Sequence, residues 1–435
     1  MSARETALNV LIACRKESAW SNGILKEYIA RDRLDRRDAA LAARLCYGVL
    51  QNRGLLDHYL KQLLTGKLKD LHPAVRDILH LGLYQIYFLD KIPQSAAVNE
   101  SVGLAKKYCK KQRFAPGLVN AVLRNAVRTY GTLKEPVSLE DKYSHPKALI
   151  QLLLSYVGKD RLENMLKANN AIAQTVVQVN TKQMTAAELV EKLKEENVEA
   201  QLHAWLPDCL VLSGTGDLEK LTSFQKGNFY VQDAAAKLSV FCAEIPAGAS
   251  VLDCCAAPGG KSFAAAVQGA GSIISCDVHA HKIDLIRSGA QRLGLTNIEA
   301  MQQDATVFNP HWEGKMDVVI ADVPCSGYGI IRKKPDIRYK DPATMRELPQ
   351  LQLRILNNQA RYVKPGGVLL YSTCTLVWEE NEGNVKRFLA ENDDYYLEKL
   401  ILPSVFPANT TGMLRLIPGE YDTDGFFIAR LRRKA

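Results

Sequence analysis

The stretch SVLDCCAAPGGKS, residues 250–262, constrains the fold of this chain more than any other. A short apolar run closes on Asp253. A small-residue turn with two glycines follows, and Lys261 and Ser262 open an amphipathic segment. The pattern predicts a strand that turns tightly into a helix. A phosphate-binding P-loop needs a glycine five positions before Gly260, and Cys255 stands there. Pro258 also removes one backbone N–H from any phosphate cradle. The dinucleotide fingerprint G-x-G-x-x-G is absent. What remains open is a plain strand–helix turn or a nucleoside site without a phosphate chain.

The surroundings of this turn decide the fold class. From residue 226 onward the apolar runs SVLDC, SIISCD, NIEAMQ, DVVIADV, GVLLYST and FFIARLR alternate with amphipathic stretches. This predicts a doubly wound, Rossmann-like α/β domain over 226–435, with ligands at the carboxyl ends of its strands. Asp253, Asp277 and Asp304 fall at three successive strand ends. One such Asp alone is an ordinary helix cap. Three in succession suit the hydroxyls and amino group of a nucleoside. S-adenosylmethionine carries an adenosine and no phosphate chain, so it is the expected cofactor. The expected cofactor contacts are Asp253, Cys254, Cys255, Ala256, Ala257, Pro258, Gly259, Gly260, Lys261, Asp277, Lys282, Asp304 and Asp322.

The N-terminal region reads differently. Residues 1–138 carry apolar residues at three- and four-residue intervals, with breaks at Pro73 and Pro93, and predict an all-α domain. Residues 139–225 predict a small α/β module: a helix over about 146–168, strands at TVVQVN, VEAQLH and CLVLSG, and the helix AAELVEKLKEEN. Charge separates the parts. Residues 1–135 hold 23 Lys and Arg against 12 Asp and Glu, while the remaining 300 hold 33 against 35. A polyanion, with nucleic acid first, is the expected partner of the basic third. Lys106, Lys107, Lys110, Lys111 and Arg113 form its densest cluster. No apolar run reaches the roughly 18–20 residues of a membrane span. The apolar segment from Ala7 to Cys14 runs into Arg15 and Lys16 with no cleavage pattern, so no secretory leader is expected. Ten cysteines without a C-x-x-C spacing predict neither disulfides nor a metal site, and a reducing cytoplasmic setting.

Two of those cysteines fall at strand ends. ADVPCSGYG places Asp322 and Cys325 on the turn after the fourth strand, and YSTCT places Cys374 after the fifth. A buried cysteine is usually a small hydrophobe. Two at neighbouring strand ends, beside a carboxylate and an expected methyl donor, point to chemistry.

Together, LDCCAAPGGKS, DVPCSGYGIIRKKPDIRY, YSTCT and DGFFIARL resemble the motifs of the RNA cytosine carbon-5 methyltransferases of the NOL1/NOP2/Sun group. The helical N-terminal third resembles a NusB-type RNA-binding domain. Val323 and the QDAAA at 232–236 depart from the commoner forms. The resemblance implies Cys374 as nucleophile, Asp322 at the base ring nitrogen, and Cys325 in the later proton loss and release. Lys261 would orient Asp322 or the bound nucleotide. It implies 16S ribosomal RNA as partner, not in the fully assembled subunit, acted on by a monomer, with no DNA or membrane partner. Transfer RNA, large-subunit RNA, or a role as an inactive assembly factor stay open at this point. Arg332, Lys333, Lys334 and Arg338 are expected at phosphates. Tyr328 and Tyr339 would stack on a base or pack internally.

Overall fold

The computed structural model describes residues 1–17 and 21–435. Two compact units divide them: Met1–Ala171 with Ile331–Lys340, and Ile172–Ile330 with Asp341–Ala435.

The first unit is helical. It contains α1 (Ala3–Glu17), α2 (Ser21–Arg31), α3 (Arg36–Leu63), α4 (Pro73–Phe88), α5 (Gln94–Tyr108), α6 (Ala115–Arg128), α7 (Leu139–Tyr143), α8 (Lys147–Val157) and α9 (Lys159–Asn170). Asp35 starts α3 by accepting from the Asp38 N–H. Leu45, Val49, Leu56, Leu60 and Leu63 then bury one face of it. Leu81, Leu83, Leu123 and Val119 join the same core. The single helix expected over 146–168 is two helices. Gly158, at φ 79°, ends α8. The basic cluster does not lie on one helix, since α5 stops at Tyr108. Lys106 and Lys107 lie in its last turn, while Lys110, Lys111 and Arg113 lie in the loop before α6. All five are exposed, and Lys107 pairs with Glu5.

The segment Ile331–Lys340 is packed into this helical unit. Arg338 is 2% exposed. Its Nη1 donates to the carbonyls of Gln51, Tyr143 and Ser144 and to Asn170 Oδ1, at 3.0–3.3 Å, and its Nη2 reaches the Asn169 carbonyl. Asp336 accepts from Ser21 Oγ at 2.8 Å. The Tyr339 hydroxyl donates to the Leu50 carbonyl at 2.9 Å. The expected phosphate contact at Arg338 is therefore corrected: the guanidinium is buried and turned to five acceptors inside the protein, out of reach of RNA. Tyr339 is held the same way, and Tyr328 is buried. Lys334 is exposed, and Arg332 and Lys333 are half-buried.

The second unit begins with a four-stranded antiparallel sheet of β1 (Thr175–Val179), β2 (Glu199–Leu202), β3 (Cys209–Ser213) and β4 (Phe229–Val231), in the order β2-β3-β1-β4. Helices α10 (Ala186–Glu195) and α11 (Thr222–Gln225) accompany it. Thr185 and Glu188 form a reciprocal cap at the start of α10.

A second sheet carries the site. Its strands are β5 (Ser250–Asp253), β6 (Ser272–Asp277), β7 (Ile298–Gln302), β8 (Met316–Asp322), β9 (Val363–Thr373), β10 (Tyr395–Leu397), β11 (Met413–Leu416) and β12 (Phe426–Arg433). The order is β10-β12-β9-β8-β5-β6-β7, with β11 on β12. Strands β5 to β9 are parallel and β12 runs antiparallel to β9. The helices α12 (Ala234–Ala243), α13 (Gly260–Val267), α14 (Ala280–Leu293), α15 (Leu348–Ala360) and α16 (Glu382–Glu391) connect them. The strand order reverses between β5 and β8, and ligands of open α/β sheets bind at such a switch point. Strands β4, β10 and β11 had no counterpart in the sequence reading. Among the described residues, no helix is long and apolar enough to cross a membrane.

Arg338→Ala leaves four carbonyls, two of them in buried hydrogen bonds, without their charged donor. It is expected to lower stability by about 3 kcal/mol or more, seen as a lower melting temperature. A variant that melts normally and loses only RNA affinity would restore the phosphate role.

Candidate active site

The turn after β5 is built for close approach. The Ala256 N–H donates to the Cys276 carbonyl at 2.7 Å, and the Gly259 N–H to the Ala256 carbonyl at 2.7 Å. Gly259 has φ 115°, and a Cβ there would fall 2.3 Å from the Phe263 ring. Only glycine takes that backbone over that ring. The turn therefore exposes Pro258, with Cys255, Ala257 and Gly260 half-buried beside it.

Two expected contacts lie beneath the turn instead. Asp253 is fully buried and Cys254 is 2% exposed. Asp253 Oδ2 accepts from Ser262 Oγ at 2.7 Å, and Ser262 accepts in turn from Ser275 at 2.7 Å. Asp253 Oδ1 has no protein partner. Burial raises this carboxyl to about 7, against the opposing pull of Ser262. Asp253 thus supports the turn from below, which corrects its expected place among the direct contacts.

The other acids flank the switch point. Asp277 closes β6; its Oδ1 accepts from the His279 N–H at 3.0 Å and lies 3.7 Å from Lys282 Nζ. Asp304 follows β7, is exposed, and caps Thr306. Asp322 closes β8. Its register partner on β9 is Ser372, whose Oγ donates to Asp322 Oδ1 at 2.8 Å. Lys261 Nζ donates to Asp322 Oδ2 at 2.6 Å. Lys261 also lies 5.1 Å from the Phe426 ring centre. The first helical turn after β5 is thus tied to the end of β8.

The strand ends bring Cys325 and Cys374 together, with their sulfurs 3.3 Å apart and both half-buried. The hydrogen bond to Cys374, followed by burial, pushes the Cys325 thiol well up. The Gly329 N–H donates to the Cys374 carbonyl at 2.9 Å, and the Gly425 N–H to the Gly329 carbonyl at 2.8 Å. Ser372, Phe426, Glu380 and Asn381 were missed from the sequence. A carboxylate and an amide inside LVWEEN, directly after YSTCT, were the available signal for the last two.

The residues present fit an adenosine-containing cofactor. A turn bare of long side chains, the Asp277 carboxylate and the exposed Asp304 lie along consecutive strand ends. There is no glycine cradle for a phosphate chain. Such a sheet, with paired thiols and a lysine-held carboxylate at its switch point, defines a methyltransferase-type α/β domain.

Comparison with known proteins agrees. The family described as 16S rRNA methyltransferase RsmB/F matches residues 243–432, the NusB family matches 1–128, and an RsmF/B-type ferredoxin-like domain matches 145–219. A Bacillus subtilis (strain 168) protein named "Probable ribosomal RNA small subunit methyltransferase B" is 35% identical over 100% of this chain and 99% of its own. The Vibrio cholerae serotype O1 "Ribosomal RNA small subunit methyltransferase B" is 34% identical over 93% of this chain and 92% of its own. The crystal structure of PH0851 has a TM-score of 0.80 at 25% identity, covering 100% of this chain and 99% of that one. The chain belongs to the RsmB/F family of 16S rRNA methyltransferases.

Asp253 gives a pH signature. Its folded-state value of about 7 lies above the ordinary carboxyl value of 3.8, so the folded state binds the proton more tightly than the unfolded chain. The stability contributed by this group is then present below pH ~4 and is lost as pH rises to ~7. Asp253→Asn mimics the protonated form. Denaturation across this range is expected to show the variant gaining on the wild type from pH ~4 to ~7, with a constant difference above. A pH-independent difference would mean that Asp253 does not titrate there.

Proposed function

We propose that this protein transfers a methyl group from S-adenosylmethionine to carbon 5 of a cytosine in 16S ribosomal RNA, through a covalent adduct with Cys374. The observation that carries this reading is the 3.3 Å approach of Cys325 and Cys374 beside Asp322. Family membership and the small-subunit names of its relatives support the RNA. Asp277, Lys282, Asp304 and the rim of the 254–260 turn would hold the cofactor. When bound there, it supplies an electrophilic methyl group.

Carbon 5 of cytosine is a weak nucleophile. The Cys374 thiolate adds to carbon 6, forming the S–C6 bond and moving the ring electron pair onto carbon 5. Asp322, positioned by Lys261 and Ser372, faces ring nitrogen 3; entering the step protonated, it gives its proton to that nitrogen as the adduct forms and takes it back when the adduct collapses. After methylation, the Cys325 sulfur, as its thiolate, takes the carbon-5 proton. The electron pair reforms the ring double bond and expels the Cys374 sulfur. The target base must stand free of its helix to enter. The exposed Lys106, Lys107, Lys110, Lys111 and Arg113, together with Lys334, would supply phosphate contacts. We take the substrate as RNA short of the fully assembled subunit.

The two cysteines separate on one denaturing, reducing gel of protein incubated with S-adenosylmethionine and 16S RNA. Cys325→Ala should trap a slow protein–RNA band. Cys374→Ala and the double variant should give none and lose methylation. A band from Cys374→Ala alone would reverse the roles, and no band in any lane from folded proteins would end the covalent mechanism.

A further inference from the structure

The chain on either side of each cysteine is held by buried side chains, and these centre on one dipeptide. Glu380 and Asn381 are 2% and 0% exposed. Glu380 Oε2 accepts from the Ser326 N–H at 3.0 Å and from Gln352 Nε2 at 2.8 Å. Gln352 Nε2 also donates to the Pro324 carbonyl at 2.9 Å. The residues before and after Cys325 are thus fixed through a single carboxylate–amide pair. Asn381 does the same for the other thiol. Its Oδ1 accepts from Thr373 Oγ1 at 2.6 Å, and its Nδ2 donates to the Thr375 carbonyl at 3.0 Å. Thr373 and Thr375 are the two neighbours of Cys374. The Ser326 and Thr375 hydroxyls, 2.7 Å apart, join the two halves.

The dipeptide is itself anchored. The Tyr371 hydroxyl donates to the Glu380 carbonyl, and Asn384 Nδ2 donates to Gln352 Oε1 at 3.0 Å. A buried carboxylate is costly unless it serves fixed donors. Its two N–H partners here both bear on the Cys325 turn. Core packing would be met more cheaply by an apolar pair of similar volume, so the polar pair needs another reason.

We propose that Glu380 and Asn381 are positioning residues that set the separation of the two reacting thiols, Glu380 by fixing the Cys325 turn and Asn381 by fixing the Cys374 strand end. Neither touches the base. The division of labour rests on the covalent reading above, but the separation itself does not. Freeing the Cys325 turn impairs the release step. Freeing the Cys374 end impairs the attack.

The test has two arms on the full-length protein. In the first, diamide oxidises the thiols without RNA, and the 325–374 disulfide is followed by peptide mapping. Each thiol gives up a hydrogen, the S–S bond forms, and the diamide N=N is reduced. Glu380→Ala and Asn381→Ala should form this crosslink at least about tenfold more slowly than wild type, with unchanged calorimetric affinity for S-adenosylmethionine. In the second arm, with 16S RNA, Glu380→Ala should accumulate the covalent complex. Asn381→Ala should reduce the complex trapped in the Cys325→Ala background. Glu380→Gln and Asn381→Asp repeat both arms with the volume kept, in case the alanine variants fold poorly. Wild-type crosslinking rates in the folded variants would overturn the proposal. So would loss of cofactor affinity in all four, which marks a general structural role. Failure of Cys325→Ala itself to trap RNA would overturn the covalent reading alone, and the crosslinking arm would still judge the clamp.

Discussion

The site depends on one backbone approach. Gly329, on the turn that follows Cys325, donates to the Cys374 carbonyl and accepts from Gly425 at the start of β12. A Cβ at Gly329 would fall 2.0 Å from the Gly425 carbonyl oxygen and 2.8 Å from that of Cys374. No side chain fits there. The ends of three strands, β8, β9 and β12, are drawn together across this point, and with them Asp322, Cys374 and Phe426. Cys325, four residues before Gly329, lies with its sulfur 3.3 Å from that of Cys374.

Around this point each group of the proposed chemistry is held by side chains that take no part in it. Lys261 and Ser372 take both oxygens of Asp322. Glu380 and Asn381 hold the flanks of the two cysteines. Asp253, Ser262 and Ser275 form a buried chain under the glycine turn. Alignment of this kind, made before substrate arrives, lowers a barrier without requiring the site to reorganise during reaction.

Much of this was legible in the sequence, because strand ends in a doubly wound sheet converge on one edge. Asp277, Asp322, Cys325 and Cys374 each close or follow an apolar run, so their placement along one edge of the sheet follows from topology. Lys261 was legible as a first-turn residue able to reach Asp322. Burial was not legible. Asp253 has the same sequence setting as Asp277, yet it lies under the turn because Ser262 meets it from α13. Arg338 sits in a basic run that reads as a phosphate patch. Its fate depends on carbonyls of residues 51, 143, 144 and 169, far away in sequence. The short strands β10 and β11 are set by pairing with β12 rather than by local periodicity.

The central claim is cytosine-5 methylation of small-subunit RNA by this chain, and bisulfite sequencing of ribosomal and transfer RNA reads it most directly. RNA from a strain lacking the gene would be compared with RNA from the same strain carrying the wild-type gene or Cys374→Ala. The account predicts one 16S cytosine that resists conversion with the wild-type gene and converts fully in the other two. Protection that persists without the gene, or that moves to 23S or transfer RNA when the gene is restored, would contradict it.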